Sequence, residues 1–272
     1  MKQNYDFSGK TVVITGGAGV LGGEMACGLV GLGANAAVLD RRTQMPEAYR
    51  TRLEAGPGKY LLVPGDVLDR SRLEENRDQI LEAFGRVDYL INTAGGNHPS
   101  ATTSTDLSFF DLPEEALQFT FNLNLIGTIL PCQVFGKVMG EQGSGAIVNI
   151  SSMAADRPLT RIPAYASSKA GVSNFTRWLA VHMAQEYAEN IRVNALAPGF
   201  FLTEQNRFLL MEEDGETLTA RGQQIISHTP MARFGAPEDL LGTVFWLLSD
   251  LSAFVTGIIV PVDGGFSAFS GV

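Results

Sequence analysis

The sequence predicts an α/β fold: one doubly wound parallel sheet of about seven strands, with helices on both faces, in a single domain over residues 1–272. Three observations carry that expectation. Seven short apolar runs rich in β-branched residues recur along the chain. They are continuously apolar rather than alternating, as strands buried on both faces of a parallel sheet must be. Longer segments of helical periodicity separate them, which calls for right-handed strand–helix–strand crossovers.

The elements follow in order. TVVIT (11–15) is the first strand, and a glycine-rich turn leads to a helix over 20–32. AAVLD (36–40) and YLLVPGD (60–66) are the next strands, with a helix over 70–84 after them. VDYLIN (87–92) is the fourth strand, and a long helical stretch covers 114–139. GAIVNIS (145–151) leads to a helix over 164–187, and IRVNALA (191–197) is the sixth strand. A helix over 237–249 opens on Pro237 with Glu238 and Asp239 behind it, a favourable start for the helix dipole. GIIVPVD (257–263) closes the sheet. Residues 198–230 stand outside this rhythm. A loop of that length in a compact domain is expected to be a substrate lid with short helices of its own.

Composition bounds the function. Apolar residues make up 45% and charged residues 18%, a globular balance. A net charge of −9, from 20 basic and 29 acidic residues, argues against a nucleic-acid or anionic-membrane partner. The polar start MKQNYDFSGK does not resemble a signal peptide, and no stretch of 18 uninterrupted apolar residues occurs, so a cytoplasmic protein is expected. Cys27 and Cys132 read as buried free thiols. His98, His182 and His228 lack ligand spacing with Cys or carboxylates, so no metal is expected.

The turn TGGAGVLGG (15–23) joins a strand to a helix whose free N–H groups suit a pyrophosphate. It reads as G-x-G-x-x-G through Gly17, Gly19 and Gly22, although a glycine cluster alone can be a plain turn. Asp40 ends the next strand, placed to accept hydrogen bonds from both hydroxyls of an adenosine ribose. A 2′-phosphate about 4 Å from its carboxylate would be repelled by roughly 4 kcal/mol at an effective dielectric near 20. NAD is therefore expected over NADP. Arg41 and Arg42 follow at once and could recover part of that loss, or be solvated loop residues.

YASSK places Tyr165 and Lys169 four apart, on one face at the start of a helix. Lowering a tyrosine pKa from about 10 to about 7 requires roughly 4 kcal/mol. A lysine together with a cationic nicotinamide can supply it. Ser151 and Ser152 end the central strand, at the edge where such sheets bind ligands.

At these residues the sequence resembles the short-chain dehydrogenase/reductase family. TGGAGVLG, Asp40, GDV, NTAG, NLIG, NISS, YASSK, PG with a later threonine, and VDGG stand in family order along nearly the whole chain. The resemblance implies a Rossmann-like fold. It implies that Tyr165 is the acid–base, that Lys169 binds the nicotinamide ribose, that Ser152 orients the substrate oxygen, and that Asn124 holds a relay water, with Asn122 its rival. It implies cofactor contacts at Gly16, Gly19, Val20, Leu21 and Gly22 of the turn. Asp40 and Arg41 would meet the ribose, and Asp66 and Val67 the adenine. Asn92, Ala94 and Gly95 would lie beside the cofactor, and Pro198, Gly199 and Thr203 would hold the carboxamide. One departure stands out: the family pattern T-G-x-x-x-G-x-G has Val20 at its middle glycine. Gly19, one residue earlier, is expected to take the strained backbone position in its stead.

AGGNHP, SSMAADRPLTRIPAY, NFTRWLAVHMA and VDGGFSAFSGV are similar to the D-mannonate oxidoreductase (fructuronate reductase) branch. That resemblance implies an NAD-dependent oxidoreductase interconverting a secondary alcohol and a ketone on a sugar acid, assembled as a homotetramer through its long helices and last strand. A carboxylate substrate calls for local positive charge. Asn97, His98, Arg157, Arg161 and Arg207 are the candidates, with Arg161 first, and each can as well be a surface or loop residue. The rivals are a polyol, gluconate or ketoacyl enzyme of the same fold, and an NAD sensor without turnover. The charge of −9 speaks against an acyl-carrier substrate. A sensor has no need of Ser152, Tyr165 and Lys169 together.

Overall fold

A computed structural model describes residues 5–203, 207–215 and 217–271. Its elements run β1 (Thr11–Thr15), α1 (Val20–Gly31), β2 (Asn35–Asp40), α2 (Glu47–Ala55), β3 (Tyr60–Pro64), α3 (Arg70–Phe84) and β4 (Tyr89–Asn92). Then come α4 (Glu114–Phe121), a π-helical turn (Asn122–Ile126), α5 (Gly127–Gln142), β5 (Gly145–Ile150), α6 (Pro163–Glu186) and β6 (Ile191–Pro198). The chain closes with α7 (Arg207–Leu210), α8 (Ala220–Ser227), α9 (Leu241–Leu248) and β7 (Ile259–Val262). All seven strands pair in parallel, in the order β3-β2-β1-β4-β5-β6-β7. The order reverses between β1 and β4. A doubly wound sheet opens its ligand crevice beyond the strand C-termini at such a point.

Each strand divides its side chains between two cores. Val12 and Ile14 of β1 face one layer with Ala36 and Val38 of β2, against α1 and α9. Val13, Ala37 and Leu39 face the other, with Leu73, Phe135 and Leu179 of the opposite helices. Both faces being covered, every position of the run must be apolar, which is why the sequence showed no alternation.

Three elements depart from expectation. Helix α2 has no counterpart in the sequence reading, because it buries only Leu53 and so shows no apolar stripe. Residues Pro237–Leu240 form a 3₁₀ turn, and the α-helix starts at Leu241. The stretch expected over 114–139 is interrupted by the π turn, and Pro131 lies inside α5. The whole run Glu114–Gln142 is apolar enough by length and composition to cross a bilayer, although polar residues interrupt it. In its most apolar 18-residue window 56% is buried within the protein, and the run packs on α3, α6 and β5 as a core helix of this fold. Cys27 and Cys132 are free and buried, as expected. Of the lid expectation, residues 204–206 and 216 lie outside the described residues, as do 1–4 of the leading segment.

Candidate active site

A cleft of about 790 Å³ opens at the C-terminal edge of the sheet, over the β1/β4 switch point. Its floor at one end is the turn after β1. Gly16 has φ 62, the left-handed region, while Gly19 has an ordinary extended φ of −79. The strained position is thus Gly16, which corrects the expectation placed on Gly19. Val20 begins α1 without difficulty because it follows an extended residue. A Cβ at Gly22 would stand 2.6 Å from the Gly16 carbonyl oxygen and 2.7 Å from Thr93 Oγ1, so no side chain fits there. No side chain caps α1 and no acid occupies its first turn. Its leading N–H groups therefore face the cleft with their partial positive charge uncompensated, a setting that suits a phosphate anion.

Asp40, at the end of β2, shares this end of the cleft with Arg41 and Arg42. Its carboxylate accepts the Ala18 N–H (3.1 Å) and the Arg42 N–H (3.0 Å), bracing the glycine turn from the side. The Arg42 guanidinium donates to the Ala18 carbonyl at 2.6 Å and is thereby drawn onto the turn. Gly65, Asp66 and Val67, after β3, form the neighbouring wall. Thr93, Ala94 and Gly95 follow β4 along the middle of the cleft, and the Thr93 hydroxyl donates to the Thr15 carbonyl. A donor-rich turn, a glycine cradle and an acid for hydroxyls together fit a dinucleotide.

The opposite end holds Ser152, Tyr165 and Lys169. Pleating separates the two serines that end β5. Both border the cleft, but the Ser151 hydroxyl turns into the protein, where it meets Ser173 Oγ at 2.6 Å and donates to the Lys169 carbonyl, while the Ser152 hydroxyl accepts the Ala154 N–H. Lys169 is 4% exposed and donates from Nζ to the Ile150 carbonyl at 2.7 Å. Burial pulls its ammonium down to about 8. The same burial pushes the Tyr165 phenol up, partly offset by hydrogen bonding to Ser152. Lys169 Nζ lies 5.8 Å from the centre of the Tyr165 ring. Pro198, Gly199 and Thr203 close this end after β6.

Several expected residues stand elsewhere. Asn92 is behind the wall, its Nδ2 donating to Asn149 Oδ1 (2.9 Å) and Cys132 Sγ (3.2 Å). Asn92 is the last residue of β4, level with Asn149 of β5 in the core, and the chain reaches the cleft only at Thr93. Asn124 lies just under Gly95, where its Oδ1 accepts the Gly96 N–H and its Nδ2 donates to the Gly96 and Thr120 carbonyls, both at 2.7 Å. Asn122 is the exposed start of the π turn. Asn97 donates to Thr102 Oγ1, and His98 caps the short helix Pro99–Ala101 while its ring meets Phe119, so both serve their loop. Arg157 donates to the Ser267 carbonyl and Arg207 to the Gly215 carbonyl, so each is tied to its own surface. Arg161 is exposed and is not in the lining of the cleft.

Sequence reasoning missed Thr93, although it stands inside NTAG, and it missed the aromatic wall. Phe200 and Phe266 meet edge to face at 5.2 Å and pack with Tyr165 and Leu159. Only the tertiary structure brings the C-terminal segment to α6.

A family model described as enoyl-(acyl carrier protein) reductase matches residues 17–267. An uncharacterized oxidoreductase, UxuB, of Bacillus subtilis (strain 168) is 50% identical, covering 98% of each chain. The D-threitol dehydrogenase of Mycolicibacterium smegmatis is 32% identical over 98% of this chain and 97% of its own. A crystal structure from Haemophilus influenza, provisionally named a D-mannonate oxidoreductase and holding bound NAD, superposes with a TM-score of 0.90. It is 44% identical and covers 99% of each chain.

Proposed function

The chain belongs to the short-chain dehydrogenase/reductase family, an oxidoreductase family, and from that premise we propose that it oxidises a secondary alcohol of a sugar acid with NAD and reduces the corresponding ketone. The pair we propose is D-mannonate and D-fructuronate. The observation that carries the chemistry is one cleft with an uncapped helix start at one end and Ser152, Tyr165 and Lys169 at the other. The observation that favours a sugar acid is the name given to the NAD-bound relative, which shares 44% of its sequence with this chain.

In this reading the start of α1, with Gly16, Gly19, Val20, Leu21 and Gly22, receives the pyrophosphate, and Asp40 the adenosine ribose. Asp66 and Val67 flank the adenine, Ala94 and Gly95 lie along the dinucleotide, and Pro198, Gly199 and Thr203 hold the carboxamide. NAD, when bound, supplies the acceptor for the hydride that leaves the carbinol carbon. Ser152 donates a hydrogen bond to the substrate oxygen and fixes that carbon in place. Tyr165 takes the hydroxyl proton as the carbonyl forms, and returns it in reduction. Lys169 holds the ribose, and its charge favours the phenolate. Because burial raises Tyr165 in the protein alone, that charge and the positive cofactor must act together. Asn124 positions the Gly95–Gly96 loop, with its Oδ1 free to accept from one further donor such as a relay water.

NAD preference follows from Asp40, whose carboxylate opposes a 2′-phosphate. Arg42, drawn to Ala18, is poorly placed to reverse it. Residues 198–230 act as the lid, and a cytoplasmic homotetramer completes the reading. A neutral polyol is the second reading, favoured by the D-threitol dehydrogenase relative. The test is turnover of D-mannonate, D-gluconate and D-mannitol with NAD and with NADP. Efficient oxidation of D-mannonate with NAD supports the proposal. Activity on neutral polyols alone rejects the sugar-acid reading.

A further inference from the structure

The VDGG run ends the last strand and turns the chain back over the cleft. Because β7 is parallel to β6, it leaves the sheet at the C-terminal edge, beside Pro198. Asp263 winds the turn: Oδ1 accepts the Gly265 N–H at 2.9 Å and Oδ2 the Ser267 N–H at 2.8 Å. Gly264 and Gly265, at φ 64 and 87, take backbone angles that favour glycine. A half-buried carboxylate thus gives both oxygens to backbone donors of the turn, which fixes the direction in which Phe266 leaves.

That direction is toward the reacting end. The Phe266 ring meets the Phe200 ring edge to face at 5.2 Å, and Phe200 lines the cleft. Phe266 also packs on the buried trio Met153, Ala154 and Ala166, as do Tyr165 and Phe200. Met153 and Ala154 directly follow Ser152, and Ala166 directly follows Tyr165. From the loop after Ser152, Arg157 Nε reaches across and donates to the Ser267 carbonyl at 3.1 Å. The Met231 N–H donates to the Gly264 carbonyl at 3.1 Å, so the chain after α8 rests on the same turn. Among the described residues, no hydrogen bond or ring contact joins residues 263–269 to the glycine turn or to Asp40.

We propose that Asp263, Phe266 and Arg157 are positioning residues for the substrate, fastening the segment after β7 so that Phe266 holds Phe200 and the loop after Ser152 against the reacting alcohol. This rests on the dehydrogenase reading of Ser152 and Tyr165 and deepens it, because the segment after β7 then completes the substrate end of the cleft. Misplacing a reacting group by about 1 Å costs on the order of a hundredfold in rate. The nucleotide end is built from other parts of the chain, so the effect falls on the alcohol and not on the dinucleotide.

The experiment compares wild type with Phe266→Ala, Phe266→Leu, Asp263→Ala, Asp263→Asn, Arg157→Ala and Arg157→Lys. It reads kcat and KM for D-mannonate at saturating NAD, the Kd of NADH by fluorescence titration, and hydrogen exchange of peptides covering 152–162, 198–203 and 15–31. Phe266→Ala and Asp263→Ala should lose about tenfold or more in kcat/KM, and Arg157→Ala about threefold, with the Kd of NADH unchanged. Asp263→Asn keeps one acceptor oxygen and Phe266→Leu keeps bulk, so each should recover part, while Arg157→Lys retains a donor and should recover most. A purely structural role would weaken NADH binding in parallel with turnover. That parallel loss, or full kcat/KM in both Phe266→Ala and Arg157→Ala, overturns the proposal. Arg157 is exposed, so its variants decide the matter even where Asp263→Ala does not fold. If wild type does not turn over D-mannonate, the sugar-acid reading fails, and the same comparison is made on D-threitol. If neither alcohol reacts, exchange decides: Phe266→Ala should speed it about tenfold in 152–162 and 198–203 and leave 15–31 unchanged. Uniform acceleration, or none, overturns the proposal.

Discussion

At Tyr165 and Lys169 burial acts on two groups in opposite senses, and both effects oppose the charged forms. Tyr165→Phe removes the proposed proton acceptor but leaves the ring that packs on Phe200 and Phe266. It should lose at least a hundredfold in turnover with NADH affinity retained, read by steady-state kinetics and fluorescence titration. Lys169 offers a test in stability. Its pKa is about 8 folded and about 10.5 unfolded, so across that window the unfolded chain binds the extra proton. Stability therefore rises with pH from about 8 to about 10.5, and the full cost of burying the ammonium is present below 8. Lys169→Met should be the more stable protein at pH 7, by on the order of 3 kcal/mol before the lost bond to Ile150 is counted. Its advantage should shrink by pH 10 in parallel urea titrations. An advantage that does not change with pH means that Lys169 titrates alike in the folded and unfolded chain, so that burial does not lower its pKa. Asp40 is the third residue-scale test. Asp40→Ala should narrow the proposed NAD over NADP preference at least tenfold in kcat/KM. It should also weaken NAD binding, because the Ala18 N–H loses its acceptor. An unchanged cofactor ratio would reject the charge argument.

Helix α1 illustrates what an element decides. It contains Gly22 near its start and Gly31 at its end. At Gly22 a methyl group would collide with the Gly16 carbonyl and Thr93, whereas at Gly31 a Cβ meets nothing within 4 Å. Gly22→Ala should therefore disturb the turn and weaken NAD binding at least tenfold, with a loss of stability. Gly31→Ala should stabilise by about 0.5–1 kcal/mol through helix propensity and leave kinetics alone. Denaturant titration of the two variants separates the roles of glycines that look alike in sequence. Helix α3 provides a simpler case, being capped by Asp69, which accepts the Arg72 N–H, and ended by Gly85 at φ 75. Both signals stood in the sequence, and the helix bounds match expectation. The π turn did not, because nothing in NLNLI marks an extra residue in a helix. Its consequence is that Asn124 faces the Gly96 backbone.

For the whole molecule, the exposed apolar surface bears on assembly. The outer face of α6 exposes Trp178 and Val181, each at 56%, and Tyr187 lies just beyond its end. Phe119, Phe121 and Ile126 are exposed on the adjacent stretch of α4 and the π turn. A patch of this kind on a chain of charge −9 is expected to be covered by a second copy, and the proposed homotetramer covers it. Val181→Glu should then lower the sedimentation coefficient to that of a smaller species while the isolated fold persists. A wild type that sediments as a monomer rejects the assembly.

By itself the sequence determined the strand–helix alternation, the parallel sheet and the ends of the cleft. Those signals are local: apolar runs, glycines fixed by the backbone, and Tyr165 and Lys169 one helical turn apart. It could not determine which of two neighbouring residues faces the cleft, since that depends on where a strand leaves the sheet. Asn92 stays in the core one residue short of that edge, and Ser151 and Ser152 part by pleat alone. Nor could it foresee contacts between distant segments. Phe266 comes to lie near Tyr165 because the segment that follows β7 folds back over the C-terminal edge of the sheet. The spacing between such residues carries no periodicity, so only packing, which encloses the cleft from three separate parts of the chain, decides which of them meet there.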